Sequence, residues 1–155
     1  MTRPIRPLDP AEAEALAEAH ASAFERPWSP AAIAEVMAMP GVSGLGIEDE
    51  QGRVSGFVLV QAASEDAEIL TLAVRPEARR RGLGLALTEA AATAAATAGA
   101  SVLWLEVAED NAAALALYAS AGFEPAGRRP GYYRTASGAR TDAVLMRRAL
   151  NRPDG

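Results

Sequence analysis

The residues with the clearest capacity for chemistry form an arginine-rich turn, Arg79-Arg80-Arg81-Gly82-Leu83-Gly84. It lies between an apolar run (Ile69, Leu70, Leu72, Val74) and an alanine-rich stretch from about Leu83 to Ala98. Backbone N–H groups in the first turn of a helix have no intrahelical acceptor and carry the positive end of its dipole. A strand–turn–helix junction can therefore hold an anion. Gly82 and Gly84 would let a phosphate approach the main chain, and successive N–H groups in such a turn can converge into a nest. The arginines add charge that persists at any working pH. The alternative is a helix start carrying a solvated charge run. The pattern is not a P-loop, because no Gly-Lys-Ser/Thr follows, and it is not Gly-x-Gly-x-x-Gly. Gly41 to Gly46 has similar glycine spacing, but no arginine or helical pattern accompanies it, so it reads as a turn entering a strand.

Glu106 is the second candidate. It interrupts the apolar strand Val102-Leu103-Trp104-Leu105-Glu106-Val107, where an ionised carboxylate is costly unless satisfied. Alternation puts Val102, Trp104, Glu106 and Ala108 on one face, with Leu103, Leu105 and Val107 on the other. If the first face borders a cleft, Glu106 is a base with a raised pKa. Otherwise it is a glutamate near a strand end, or one paired with an arginine. Tyr118 shares a helix face with Asn111, Ala114 and Leu115, at i, i+3, i+4 and i+7; tyrosine at that spacing more often serves packing than catalysis. His20 is the only histidine and reads as a surface or satisfied residue.

Composition narrows the chemistry. The chain has 155 residues, half of them hydrophobic, which predicts one folded domain over residues 1–150 with a frayed tail at 151–155. Cysteine is absent, which removes disulfides, thiolate metal sites and a cysteine acyl-enzyme; no metal site is expected. Any acyl transfer would pass directly from donor to acceptor in a ternary complex. Lysine is absent as well, so all 15 basic residues are arginines. Net charge is −5, with 11 acidic residues against 2 arginines between Pro10 and Leu70. That balance argues against nucleic acid as the main partner and suits a cationic amine or basic peptide. The first ten residues hold arginines and prolines where a secretory segment needs an apolar run, and Glu89 and threonines interrupt the alanine-rich helix. A soluble cytoplasmic protein with no membrane partner is expected.

The elements that must position these residues follow from periodicity and punctuation. A short strand over 3–8 leads to a helix capped at Asp9-Pro10, and Ser29-Pro30 starts another through about Met39. Trp28, in the linker between them, reads as a packing anchor. Strands at about 43–48, 53–62 and 67–74 predict an antiparallel meander. The alanine-rich helix stops at Gly99, and the Glu106 strand is apolar enough to be central. Asp110 or Asn111 caps a helix through Ser120, ended by Gly122. A bent strand around Pro130 and a last strand from Thr141 to Ala149 complete the chain. The expected architecture is α/β (α+β): a mixed, mostly antiparallel sheet of six to seven strands with about four helices. The order is strand, two helices, three strands, helix, strand, helix, two strands.

Two motifs carry a family resemblance. Arg-x-x-Gly-x-Gly at a strand-to-helix junction resembles the pyrophosphate signature of the GNAT acetyltransferases. Asn-x-x-Ala-x-x-x-Tyr-x-x-x-Gly-Phe, at Asn111, Ala114, Tyr118, Gly122 and Phe123, resembles the same family. Further segments, including Pro27-Trp28-Ser29, Leu72-Ala73-Val74, Leu103 to Val107 and Arg128-Arg129 ahead of Tyr132-Tyr133, resemble its bacterial ribosomal-protein alanine N-acetyltransferase branch. Leu85 departs from that pattern, standing where a basic residue is common, and Arg26 stands where an aromatic is common. The resemblance implies the GNAT fold and acetyl-coenzyme A as co-substrate. It implies that the backbone of Leu72, Ala73 and Val74 meets the pantetheine arm, and that Arg79, Arg80, Arg81, Gly82, Leu83, Gly84 and Leu85 surround the pyrophosphate. Asn111 would lie near the thioester, with Glu106 as general base and Tyr118 as general acid. The acceptor would be the α-amine of an N-terminal alanine, on a peptide from a ribosomal protein. A lysine side chain, a small-molecule amine, or binding without catalysis are the competing readings.

Overall fold

The computed structural model describes residues 4–134 and 137–150. The tail expected at 151–155 lies outside them, as does Arg3 of the first expected strand. Among the described residues the chain forms seven strands and four α-helices. They are β1 (Arg6–Leu8), α1 (Ala13–Ala23), α2 (Pro30–Met37), β2 (Val42–Glu48), β3 (Val54–Ala63), β4 (Asp66–Val74), α3 (Leu83–Thr97), β5 (Val102–Ala108), α4 (Ala112–Ser120), β6 (Glu124–Arg134) and β7 (Arg140–Ala149). One sheet holds all the strands in the order β1-β2-β3-β4-β5-β7-β6. Its neighbours are antiparallel except β4 and β5. The order of elements along the chain is the expected one, with β2, β3 and β4 as the meander and β5 an interior strand of the sheet.

Local chemistry explains the element ends. Asp9 accepts from the Ala11 N–H and Glu12 reaches back to the Asp9 N–H, a capping box that opens as a short 3-10 turn before α1. Ser29 caps α2 through the Ala32 N–H, and Asn111 caps α4 through the Ala114 N–H. Gly99 (φ 102°) ends α3 and Gly122 (φ 91°) follows α4, left-handed positions that glycine fills without strain. The Gly41 decoy is a turn into β2, because a Cβ there would lie 2.2 Å from the Ala62 carbonyl oxygen. The bent strand expected around Pro130 is β6, with register shifts at Pro125/Gly127 and Arg129/Tyr133.

Two cores flank the sheet. Leu87, Ala91 and Ala95 of α3 pack on Val58, Val60, Leu103 and Leu105, and Tyr118 and Phe123 join them. On the opposite face Leu16, Ile33 and Met37 of α1 and α2 cover Phe57, Leu59 and Ala73. Ala19 and His20 take buried positions on α1, whereas Phe24 at its C-cap is partly exposed. A bulge between Leu59 and Val60 leaves Leu70 of β4 without a register partner. Ala67 and Ile69 before it belong to the α3 core, whereas Ala73 after it belongs to the α1–α2 core. One extra residue thus changes which side chains face which layer and bends β4.

Candidate active site

The site begins where two strands stop pairing. β4 and β5 run parallel with register partners only from Asp66–Val102 to Glu68–Trp104. Beyond that point β4 remains bonded to β3 as far as Val74, and β5 remains bonded to β7 as far as Ala108. The strands therefore part into a wedge whose β4 edge, Ile69 to Val74, lacks a strand partner on the β5 side. Leu72 and Val74 are half-buried along that edge; Ala73 buries its methyl in the α1–α2 core and offers only backbone. The Val74 carbonyl accepts a 3.3 Å bond from Arg79 Nε, which a ligand reaching that carbonyl would have to share or displace.

The arginine turn lies at the open end of this edge. Arg79 is extended (φ −72°, ψ 163°), and Arg80 (φ 65°) and Gly82 (φ 76°) are left-handed. A non-glycine residue at positive φ stores backbone strain and marks a loop held in shape. No side chain caps α3, and the first intrahelical bond into it is Ala86 N–H to the Gly82 carbonyl. The N–H groups of Leu83, Gly84 and Leu85 are consequently available to an anion, whereas α2 and α4 spend side chains on the same task. Among the described residues Arg80 and Arg81 have no ion-pair partner. Arg75, which adds to the charge count of this region, is buried instead and donates from Nε to the Val54 carbonyl at 2.7 Å.

The two glycines of the turn differ. A Cβ at Gly82 would meet nothing within 4 Å, so open space lies beside that backbone. A Cβ at Gly84 would stand 3.1 Å from Leu117 Cδ2. The smallness of Gly84 therefore serves the packing of α3 against α4, a role the spacing alone did not reveal.

Across the wedge, Glu106 occupies the face expected for it: Leu103, Leu105 and Val107 are buried, and Trp104, Glu106 and Ala108 are half-buried on the opposite face. That face borders an open cavity of about 400 Å³, lined among others by Gln61, Glu68, Trp104, Arg129 and Leu145. Of the readings left open for Glu106, the cleft and the arginine partner both apply. Arg129 Nη2 lies 3.1 Å from Glu106 Oε1. Glu68 shares the cavity, and burial, with the like charge of Glu106 next, raises its pKa above the ordinary carboxylate value. Tyr133 is raised for the same two reasons in the same order.

Tyr118 is buried (8% exposed), packs edge-to-face on Phe123 at 5.7 Å, and is pushed up to about 12 by burial. Asn111 spends its side-chain oxygen on the α4 cap. Glu68 is the cavity residue that sequence reasoning missed. Only the β4–β5 pairing brings it near Glu106. Trp28, read as a packing anchor, is one: its ring stacks on His20 at 5.2 Å, and its N–H donates to His20 Nδ1. With Nδ1 accepting, Nε2 carries the proton and donates to Thr71 Oγ1 at 3.1 Å. His20 is satisfied and buried, tying the α1–α2 linker to β4. Among the described residues no group of three or more His, Cys, Asp or Glu side chains is placed to hold a metal. No helix among them is long and apolar enough to cross a membrane.

A mixed sheet parted at its only parallel pair, with an uncapped helix at the parting, defines the acetyltransferase class of α/β folds. The model of the acetyltransferase (GNAT) family matches residues 13–123, and the chain belongs to that family. It is 41% identical over 97 residues to the Escherichia coli (strain K12) [ribosomal protein bS18]-alanine N-acetyltransferase; the match covers 63% of this chain and spans only 65% of that relative's length. It is 36% identical over 155 residues to the N-alpha-acetyltransferase RimI of Mycobacterium tuberculosis, covering 96% of this chain and 94% of that one. The crystal structure of the ribosomal-protein-S18-alanine N-acetyltransferase from Escherichia coli superposes with a TM-score of 0.88 at 32% identity, covering 96% and 94% of the two chains.

Proposed function

We propose that residues 1–150 form a single cytoplasmic enzyme domain that moves an acetyl group from acetyl-coenzyme A to the α-amine of an N-terminal alanine, on a ribosomal-protein peptide. The observation that carries the reading is the wedge. Beyond Glu68–Trp104 the β4 edge is free on its β5 side, with a cationic, uncapped helix start at one end and a carboxylate-lined cavity across it. The residues present fit the co-substrate: unspent N–H groups and two unpaired arginines suit a diphosphate, and a free strand edge suits an amide-containing arm. When bound, acetyl-coenzyme A supplies a thioester carbonyl open to direct attack by an amine.

Arg79 to Leu85 bind the diphosphate chiefly through backbone, and the main chain of Leu72 to Val74 aligns the arm. One N–H of that run holds the acetyl oxygen as it gains negative charge. Asn111 stands at the start of α4 near the thioester. Glu106 accepts a proton from the acceptor's ammonium, directly or through water. An α-amine with a reference pKa of about 7.7–8.0 loses its proton near neutral pH at a cost of about 1 kcal/mol, whereas a lysine at about 10.4 costs several. As the amine nitrogen bonds to the acyl carbon it gives up its second proton to solvent, the C–S bond breaks, and a neutral amide and a thiolate result. Tyr118 is the acid facing it. With its pKa pushed up to about 12 it stays protonated throughout the working range, and it holds that proton more tightly than an exposed phenol would. It stabilises the sulfur by donating a hydrogen bond, and as the thiol leaves with that proton, the second proton released by the amine restores the phenol through solvent.

The test is release of free coenzyme A thiol with two peptides: one with a free N-terminal alanine and no lysine, the other N-terminally blocked and containing lysine. Thiol release with the first alone supports the reading. Release with the second alone moves the acceptor to a side chain, and no release with any amine sinks the enzyme assignment.

A further inference from the structure

We propose that the Arg129 guanidinium is a resident stand-in for the acceptor's ammonium, seated between Glu106 and Glu68, and that acceptors bind by displacing it. This rests on the reading above and adds the acceptor-recognition element of that site.

The register shows how Arg129 arrives there. Arg129 faces Ala143 across β6–β7, and Ala143 faces Ala108 across β7–β5. Cross-strand partners share a face, so Arg129 lies on the Glu106 face, two strand spacings from β5. The intervening position is an alanine, so the long side chain crosses it unobstructed. The guanidinium then ends 3.1 Å from a carboxylate oxygen that is the best-placed proton acceptor in the cavity. The guanidinium thereby occupies the side of the carboxylate on which an incoming ammonium would sit.

The contact is built to be exchanged. The Glu106 side chain is 14% exposed and fixed on a central strand, whereas the Arg129 side chain is 57% exposed and lies next to the strand irregularity at 129–133. A second resting place adjoins it: the guanidinium carbon is 5.2 Å from the centroid of the exposed Tyr132 ring, within cation–π range. The cavity also carries more negative than positive charge. Asp66 is occupied by the Trp104 indole N–H at 3.0 Å, and Arg147 sits over the Trp104 ring at 5.4 Å on the rim. Glu68 and Glu106 then share one guanidinium, and Glu68 has no hydrogen-bonded cation of its own among the described residues. An incoming ammonium, smaller than guanidinium and with three donors, can meet both carboxylates. A neutral nucleophile cannot replace the charge that leaves.

Displacement costs affinity, because only the fraction of molecules with an open seat binds acceptor. The experiment measures acceptor KM for the free-alanine peptide, with acetyl-coenzyme A affinity by calorimetry as an independent readout. Arg129→Gln is expected to lower acceptor KM about 3- to 10-fold, and Arg129→Lys, which keeps a cation, to return it towards the parent value. Glu68→Gln is expected to raise acceptor KM at least about 10-fold, with cofactor affinity retained. Direct titration of alaninamide into Arg129→Gln and the parent protein should show the same ordering without turnover. A raised KM in Arg129→Gln means that Arg129 holds the acceptor itself and overturns the proposal. So does an unchanged KM in either Arg129→Gln or Glu68→Gln. An active parent enzyme with unresponsive variants sinks this inference alone, whereas a parent that releases no thiol with any amine sinks the activity beneath it.

Discussion

The two walls of the wedge are made of different material. On the β4–α3 side the features are backbone: a strand edge without a partner, two left-handed residues at Arg80 and Gly82, and an uncapped helix start. On the β5–β6 side they are side chains: Glu106 and Arg129 line one cavity together with Glu68 from the start of β4, and Tyr133 lies near enough to feel the Glu106 charge. A wall of main-chain groups binds the same ligand whatever side chains it carries, which is how Leu85 can stand where a basic residue is common. A wall of side chains can change its ligand by single substitutions. The first suits a shared co-substrate and the second a selective acceptor.

Glu106→Gln should separate the walls most sharply. The amide keeps the shape and can still accept a bond from Arg129, but it cannot take a proton. Turnover should fall about 10²- to 10⁴-fold, the usual contribution of a positioned general base. Acetyl-coenzyme A affinity measured by calorimetry should stay within about twofold. A comparable loss of cofactor binding would mean that the walls are not independent.

The β4 wall has its own stabilising support, and acid should weaken it first. His20 is buried (1% exposed) and its pKa is pushed down to about 4 by that burial, from an ordinary histidine value of 6.5. The folded-state pKa of this cationic acid is depressed, so above about pH 6.5 both states hold it neutral and it adds no pH dependence. Between about 6.5 and 4 the unfolded chain takes up the proton first, and stability falls by about 3 kcal/mol over that window. Urea midpoints recorded from pH 7 to pH 4 should show this slope in the parent and lose it in His20→Gln. Since His20 bonds the Trp28 backbone N–H and Thr71 of β4, acetyl-coenzyme A affinity should fall with acid before acceptor KM rises. An identical slope in both proteins would remove His20 from the account.

How far the sequence anticipated each wall follows from the same distinction. The arginine turn was readable because strand, glycine turn and helix are written contiguously, and Gly82 behaves as its position required. The element order and the central place of β5 were readable from apolar periodicity and from caps such as Asp9 and Asn111. Glu106 was singled out because a charge in an oily strand is locally anomalous, yet its partner lies 23 residues away on a strand bent by two irregularities. Glu68 gave no local signal at all. Its meaning depends on the three register pairs joining β4 to β5, a non-local contact that periodicity cannot report. Gly84 was assigned to the phosphate because both glycines of a motif look alike until Leu117 of another helix is set beside one of them.

The cofactor wall should respond to a change in backbone conformation more than to a change in side-chain bulk. Gly82→Ala adds a methyl into open space at φ 76°, so its whole cost is the left-handed conformation, about 1–2 kcal/mol. Part of that cost can be relieved by the turn relaxing, which would misdirect the N–H groups of Leu83 to Leu85. Acetyl-coenzyme A should bind about 5- to 30-fold more weakly, with acceptor KM little altered. Gly82→Asn, a residue that tolerates this region better, should lose less. Full affinity in Gly82→Ala would show that the turn's shape does not matter to the ligand.

Gly84 gives the smallest effect and the finest test of the division. Alanine there meets only Leu117 Cδ2 at 3.1 Å, the far end of a half-buried side chain that can give way by a few tenths of an ångström. The helix gains up to about 1 kcal/mol of propensity from the same change, so stability should move by no more than about 0.5 kcal/mol in either direction. Acetyl-coenzyme A affinity should stay within about twofold. Gly84→Val cannot be absorbed in that way and should destabilise by about 1–3 kcal/mol, with Leu117→Ala restoring part of the loss in the double variant. If Gly84→Ala instead weakens the cofactor as much as Gly82→Ala does, the missing side chain makes room for phosphate as well as for Leu117, and the cofactor wall extends one residue further into the helix than the packing of α3 on α4 implies.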